Sequence, residues 1–92
     1  MRLVQPTDFD ILAALESGGR NVAANLSIRL NQDRAYINTR LPHLLDYKLV
    51  TKIGPAENSG LYEITPRGKA ALQNRDRYNN LGPNQFEQLL NR

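Results

Sequence analysis

The chain has 92 residues, 40% of them hydrophobic, and a chain of this size is expected to form one domain. Such a domain buries only about 60–65% of the surface that its unfolded form exposes, so its core must be simple. The sequence has no cysteine and one histidine, so we expect no disulfide framework, zinc finger, metal or other cofactor. No apolar run approaches the roughly 20 residues that span a bilayer, and residues 1–10 lack the apolar stretch of a signal peptide. We therefore expect a cytoplasmic protein.

The charge is modest in total but uneven along the chain. Twelve lysines and arginines against nine aspartates and glutamates give a formal net charge of +3. Residues 1–20 carry two basic and three acidic side chains, for −1, whereas residues 21–53 carry five basic and two acidic side chains, for +3. The basic excess in this second segment is a weak indication of a nucleic-acid partner.

Two helices are predicted in the first third of the chain. The first begins at Thr7 or Asp8, whose side-chain oxygens can cap free N–H groups, and runs to about Ser17, with apolar residues at helical spacing. Asn21 is expected to cap a second helix from Val22 to Leu30, whose core side carries Ala23, Leu26 and Leu30.

A third helix is predicted after Asp33, which is expected to be its N-cap. At about 100° per residue, its apolar stripe contains Ile37, Leu41, Leu44 and Leu45. The opposite side is polar or small and is formed by Ala35, Tyr36, Thr39 and His43, with Arg40 and Asn38 on its flanks. Because Pro42 lacks an N–H group, we expect a kink or a local break between Asn38 and Pro42.

A β-hairpin and further helices are predicted in the rest of the chain. The strands are Leu49–Ile53 and Leu61–Ile64, joined by a loop of turn-forming residues. Thr65 and Pro66 give the N-cap and first residue of a fourth helix to about Arg77. A linker is expected at residues 78–80, and a last amphipathic segment from Gly82, with Phe86, Leu89 and Leu90 on one side. The expected division is a domain at 1–77 and a tail or short helix at 78–92 that could dimerise.

This order of elements predicts an α+β winged helix-turn-helix fold with a three-helix core, a two-stranded β-wing and additional C-terminal helices. Three segments, Asn21–Leu26, Asp33–Pro42 and Gly54–Thr65, resemble small archaeal winged helix-turn-helix regulators related to the repressor of phage phi-H. The resemblance covers about Asp8–Leu72. It implies a DNA-binding transcription regulator, and it favours a repressor over an activator. Lys48 stands where such proteins often have glycine, which suggests a left-handed residue strained by up to about 1–2 kcal/mol.

In this fold the third helix enters the major groove of double-stranded DNA, so its outward residues are the candidate base contacts. They are Arg34, Ala35, Tyr36, Asn38, Thr39, Arg40 and His43. An arginine can pair bidentately with guanine, which is worth about 1–3 kcal/mol of discrimination. Phosphate or minor-groove contacts are expected from helix starts and the wing, at Asn21, Gln32, Lys52, Asn58 and Ser59. The same residues are also compatible with a solvated surface, and for His43 an exposed position without a role is the stronger expectation.

Other functions are weighed against this interpretation. Asp8 and Asp10 suit the start of a helix without any catalytic role, and the sequence has no nucleophile elbow or phosphate-binding glycine loop, so we expect no enzyme. A protein-interaction module and a non-specific nucleic-acid binder remain alternatives. Phe86, Leu89 and Leu90 are too few for a separate core, so they either fold back on the first helix or pair with a second copy. We expect a homodimer.

Overall fold

The computed structural model describes residues 1–54 and 60–91. In chain order these residues form α1 (Thr7–Gly18), β1 (Asn21–Val22), α2 (Ala23–Leu30), α3 (Arg34–Asp46), β2 (Val50–Lys52), β3 (Leu61–Ile64), α4 (Pro66–Gln73) and α5 (Arg75–Leu90). A three-helix unit followed by a hairpin and a further helix is the winged-helix arrangement, so the expected α+β fold class is confirmed. No helix in these residues is long and apolar enough to cross a membrane.

The sheet has three strands where the sequence predicted two. Its order is β1-β3-β2 with antiparallel pairing, and β3 is central. Asn21 lies opposite Tyr62 in β1, so the expectation that it caps α2 is wrong. Val22 is the N-cap of α2 and offers no side-chain hydrogen bond. A two-residue strand is too short to show alternation, which is why its sequence did not reveal it.

The core lies between the first three helices and the sheet. The helices contribute fully buried apolar side chains at the positions predicted by helical spacing, which include Leu12, Leu15, Leu26, Ile37, Leu41 and Leu44. Asp33 is the N-cap of α3, as predicted, and its carboxylate accepts a hydrogen bond from the N–H of Ala35 at 2.9 Å. The apolar faces of the helices therefore meet in one cluster that also includes residues of both hairpin strands.

Helix α3 continues through Pro42, so the local break expected there is not observed. Pro42 is exposed, whereas Ile37 and Leu44 on either side of it are fully buried. Burial of an aliphatic side chain stabilises by about 1.5–3 kcal/mol, so two anchored turns can offset the hydrogen bond that proline removes. Packing therefore overrides the local preference for a break.

Lys48 ends α3 in the left-handed conformation that the sequence predicted, with φ 63°. The N–H of Lys48 donates to the carbonyl of Leu45 at 2.9 Å, and the N–H of Leu49 donates to that of Leu44 at 3.0 Å. These two bonds form a Schellman motif, in which the left-handed position is usually glycine. The motif turns the chain directly into β2.

The start of α4 is fixed against this turn. Thr65 is its N-cap, as predicted: its hydroxyl accepts from the N–H of Gly68 at 3.0 Å and donates to the carbonyl of Lys48 at 2.7 Å. A Cβ atom at Gly68 would lie 2.1 Å from the carbonyl oxygen of Leu49. The closeness of α4 to the end of α3 therefore requires glycine at this position.

The C-terminal helix packs on the same core. Residues 78–80 are helical within α5, so the expected linker is wrong, whereas Gly82, with φ 76°, does mark the start of a new helical direction. Phe9, Tyr78 and Phe86 form an edge-to-face cluster with ring centroids 5.1–6.3 Å apart. The Tyr78 hydroxyl also accepts from the N–H of Leu3 at 2.8 Å. Phe86 thus folds back on α1, one of the two outcomes expected.

Candidate nucleic-acid interface

One face of α3 is exposed along its length. We define this exposed face of α3 by the residues Arg34, Ala35, Asn38, Thr39, Pro42 and His43. Tyr36 is only half-buried and lies at its edge. At about 100° per residue, the middle of this face around the helix is formed by Ala35 and Pro42, with Asn38 and Thr39 equally far to either side, and not by Tyr36 and Thr39 as the apolar stripe suggested. Along the helix axis, Asn38 and Thr39 lie midway between Arg34 and His43.

Arg40 does not belong to this face, and the expectation that it flanks the outward side is wrong. Its side chain is buried and forms a two-point ion pair with Asp8, at 2.9 Å from Nε to Oδ1 and 2.8 Å from Nη2 to Oδ2. The Asp8 carboxylate is fully buried and also accepts from the N–H of Val4 at 2.7 Å. The hydrogen bond to Asp8 raises the pKa of Arg40 against the opposing effect of burial. Arg40 is thus committed to the core.

The Asp8–Arg40 pair explains why the exposed face of α3 is rotated from its predicted position. Arg40 is buried, whereas Leu45, at the other edge of the apolar stripe, is only half-buried. The buried side of α3 therefore extends toward Arg40. The apolar stripe placed Arg40 on a flank of the outward side, and no local spacing links Asp8 to a residue 32 positions away.

The polar side chains on the exposed face of α3 differ in whether they already make hydrogen bonds within the protein. Arg34 is exposed at the N-terminal end of this face, and no acidic side chain lies on α3 before Asp46. The Thr39 hydroxyl donates to the carbonyl of Ala35 at 3.0 Å, which occupies its proton. Within the described residues, the side-chain amide of Asn38 has no hydrogen-bond partner. The face therefore offers a cation at one end and a free amide at its centre.

The residues predicted to bind phosphate near the starts of α2 and α3 already make hydrogen bonds within the protein. Gln32 is exposed, but its backbone N–H already donates to the carbonyl of Ser27 at 2.9 Å. Asn21 is half-buried in β1, and its side-chain oxygen accepts from the N–H of Val22. The start of α3 is occupied by the Asp33 carboxylate, whereas no side chain caps the start of α2.

The wing residue Lys52 lies on the sheet beside a second predicted contact. Tyr62 pairs with Asn21 on one side and with Lys52 on the other, so the three residues form one row across the sheet. The Lys52 ammonium is exposed and lies 5.9 Å from the centre of the Tyr62 ring. Asn58 and Ser59, also predicted to contact DNA, lie outside the described residues. In the part of the chain that is described, no group of three or more metal-ligating side chains occurs.

Comparison with known proteins gives structural likeness without sequence likeness. No protein-family model and no curated protein matches the sequence. The reduced form of MarR from E. coli has a TM-score of 0.68 and 17% identity, with 94% of this chain and 72% of that chain covered. The transcriptional regulator Tm0710 from Thermotoga maritima has a TM-score of 0.66 and 18% identity, with coverages of 96% and 70%. A mutant MarR from E. coli complexed with operator DNA has a TM-score of 0.65 and 19% identity, with coverages of 95% and 61%. The chain therefore has the winged-helix fold of these transcriptional regulators.

Proposed function

We propose that this protein is a cytoplasmic, sequence-specific DNA-binding transcription regulator that inserts α3 into the major groove and has no catalytic activity. The observation that carries the proposal is the exposed face of α3. It presents small and polar side chains without an acidic residue between Arg34 and His43 on a fold shared with solved regulators. The 13 residues of α3 give a helix about 20 Å long, and its diameter of about 10–12 Å with side chains fits a major groove about 12 Å wide.

The proposed contacts follow from exposure. Arg34 lies at the end of the face where it can reach a phosphate or a base edge, and the middle residues of the face lie against the bases, namely Ala35, Asn38, Thr39 and Pro42. Tyr36 and His43 are placed at the edges of the contact. Arg40 has a positioning role instead, since its pair with Asp8 sets which side of α3 faces outward.

Backbone contacts are proposed for α2 and the wing. The start of α2 has no side-chain cap, so its first-turn N–H groups are of the kind that can bind a phosphate, and Gln32 is exposed between α2 and α3. Lys52 is proposed to approach the DNA backbone or minor groove, and the same contact is proposed from the sequence alone for Asn58 and Ser59. These contacts fix the register of α3 and supply salt-dependent affinity.

We also propose a homodimer that binds two half-sites about 34 Å apart. The dimer surface is proposed to use α1, α4 and the C-terminal residues; because Phe86 is buried in its own core, the half-buried Leu81 and Leu89 are the proposed apolar contacts on α5. Light scattering should give twice the 10.4 kDa chain mass at tens of micromolar. A 10.4 kDa particle both with and without DNA would rule out this part of the proposal.

Repression, by occupying an operator, and kinship with archaeal phi-H-like regulators are proposed from the resemblance of the three sequence segments. Reporter transcription with and without the protein decides the sign of regulation. Reduced transcription is expected if the operator overlaps the promoter.

The experiment that tests DNA recognition is fluorescence anisotropy across a salt series, with DNA from upstream of the protein's own gene and with a scrambled duplex. Selective binding that weakens steeply with salt is expected. Arg34→Glu should weaken binding, whereas Arg75→Glu, on α5 and outside the proposed interface, is the matched charge-reversal control. Equal, weak binding to both duplexes would instead favour a protein-interaction module or a non-specific binder.

A further inference from the structure

We infer that the exposed face of α3 reads A·T base pairs, with Asn38 on an adenine and the methyl groups of Ala35 and Thr39 on neighbouring thymines. The inference rests on the proposed function, because it assumes that this face meets the major groove. It goes further by assigning a class of target sequence to three residues.

Asn38 is the adenine-reading residue. It is exposed midway along the face, and its amide carries one acceptor and one donor group without a partner among the described residues. Adenine presents an N7 acceptor and an N6 donor in the major groove, the pattern that an asparagine amide pairs with at two points. An unpaired amide at the middle of a groove-facing helix is therefore matched to adenine.

Thr39 and Ala35 supply apolar contacts beside it. The Thr39 hydroxyl gives its proton to the carbonyl of Ala35, so the methyl group and a lone pair are what remain for a partner. Ala35 lies one turn before Asn38 and Thr39 on the same surface, and it exposes only a methyl group. Methyl groups of alanine and threonine contact the C5-methyl group of thymine, which no other DNA base carries.

The middle of the face has no side chain that could read guanine at two points. Two-point reading of guanine uses arginine or lysine, and the central arginine of α3, Arg40, is held in the core by Asp8. The cation that remains on the exposed face of α3 is Arg34, at its N-terminal end. A G·C pair can therefore be read at that end, while the middle of the half-site is A·T.

The first test is selection of bound duplexes from a randomised pool by the full chain. The expected result is a half-site with a central adenine beside at least one thymine. Specific sites with guanine at the centre would overturn the inference and leave the regulator proposal intact. Failure to enrich any sequence across the salt series would instead overturn the regulator proposal.

The second test assigns the base pairs to residues. Asn38→Ala should lower affinity for the selected site by roughly 5- to 150-fold and remove discrimination at the central pair. Asn80→Ala, an exposed asparagine on α5, is the matched control and should change neither quantity. An equal loss by Asn38→Ala on every sequence would show a phosphate contact and overturn the adenine assignment.

The thymine contacts are tested by replacing thymine with uracil, which removes only the methyl group. Loss of one buried methyl contact should weaken binding about fourfold. Thr39→Ser keeps the hydroxyl that bonds to Ala35 but lacks the methyl group, so this variant should bind one of the uracil-substituted sites as well as the thymine site. If Thr39→Ser retains full sensitivity to every uracil substitution, the assignment of Thr39 is wrong.

Discussion

The substitution Arg40→Met tests whether the buried pair with Asp8 holds α3 in place. Methionine keeps much of the length of the arginine side chain but removes the charge that faces the Asp8 carboxylate. Because that carboxylate has no exposed surface, it would be left buried without its positively charged partner. Removing one member of a buried pair costs about 3–5 kcal/mol.

This loss is large for a chain of this size. At roughly 0.05–0.15 kcal/mol per residue, 92 residues give a free energy of unfolding of about 5–14 kcal/mol. Arg40→Met is therefore expected to shift the urea midpoint strongly, and to leave a marginal protein if the starting stability lies at the lower end. Arg34→Met is the matched control on the same helix, where an exposed arginine should change stability by no more than about 0.5 kcal/mol.

A double variant separates the unpaired charge from simple loss of packing. Asp8→Asn retains an oxygen that can accept from the N–H of Val4 but carries no charge. Adding it to Arg40→Met should recover roughly 1–3 kcal/mol, because the desolvated carboxylate is gone. Urea unfolding followed by circular dichroism gives the free energy of unfolding of the unsubstituted protein, Arg40→Met, Arg34→Met and the double variant. An Arg40→Met loss below about 1 kcal/mol, or a double variant no more stable than the single one, would refute the reasoning.

Three further outcomes are expected from urea unfolding. Lys48→Gly should stabilise by roughly 0.5–1 kcal/mol, because left-handed strain of about 1–2 kcal/mol exceeds the added flexibility of the unfolded chain; a loss of stability would contradict this. Gly68→Ala should destabilise by about 1–3 kcal/mol, since the new methyl group meets the carbonyl of Leu49, and a neutral result would show that α4 can move away. The amino group of Met1 lowers the pKa of Glu87, so the carboxylate stabilises the fold above pH 4.5 and ceases to do so as the pH falls. Glu87→Gln should therefore be slightly less stable than the unsubstituted protein at pH 7 and equally stable in acid. A loss of stability that does not depend on pH would exclude the ion pair as its cause.

The elements that local chemistry determines could be predicted from the sequence. Asp33 and Thr65 cap helices through their own neighbouring N–H groups, and Lys48 ends α3 through bonds within five residues. Apolar spacing alone placed the helix cores. These features depend on residues close together in the chain, so the sequence carries their whole cause.

The features that escaped prediction depend on distant partners. β1 exists because Asn21 meets Tyr62, and the helical path at Tyr78 is held by contacts with Phe9 and with Leu3, 75 residues away. The outward face of α3 could be located only approximately, because the residue that rotates it, Arg40, has its partner on α1. Asn38 lies nearer the middle of the exposed face than the apolar stripe placed it for the same reason.

The aromatic cluster and the buried ion pair meet on a single turn of α1. The Phe9 ring packs edge-to-face against Tyr78 and Phe86 of α5, and the adjacent Asp8 forms the ion pair with Arg40 of α3. A displacement of α5, whether by a fused domain or by a second subunit, would therefore be felt at the turn of α1 that holds the proposed DNA-contacting face of α3 in position. If α3 contacts DNA as proposed, shortening α5 or attaching a bulky tag to it should alter DNA affinity although none of the proposed contact residues has changed.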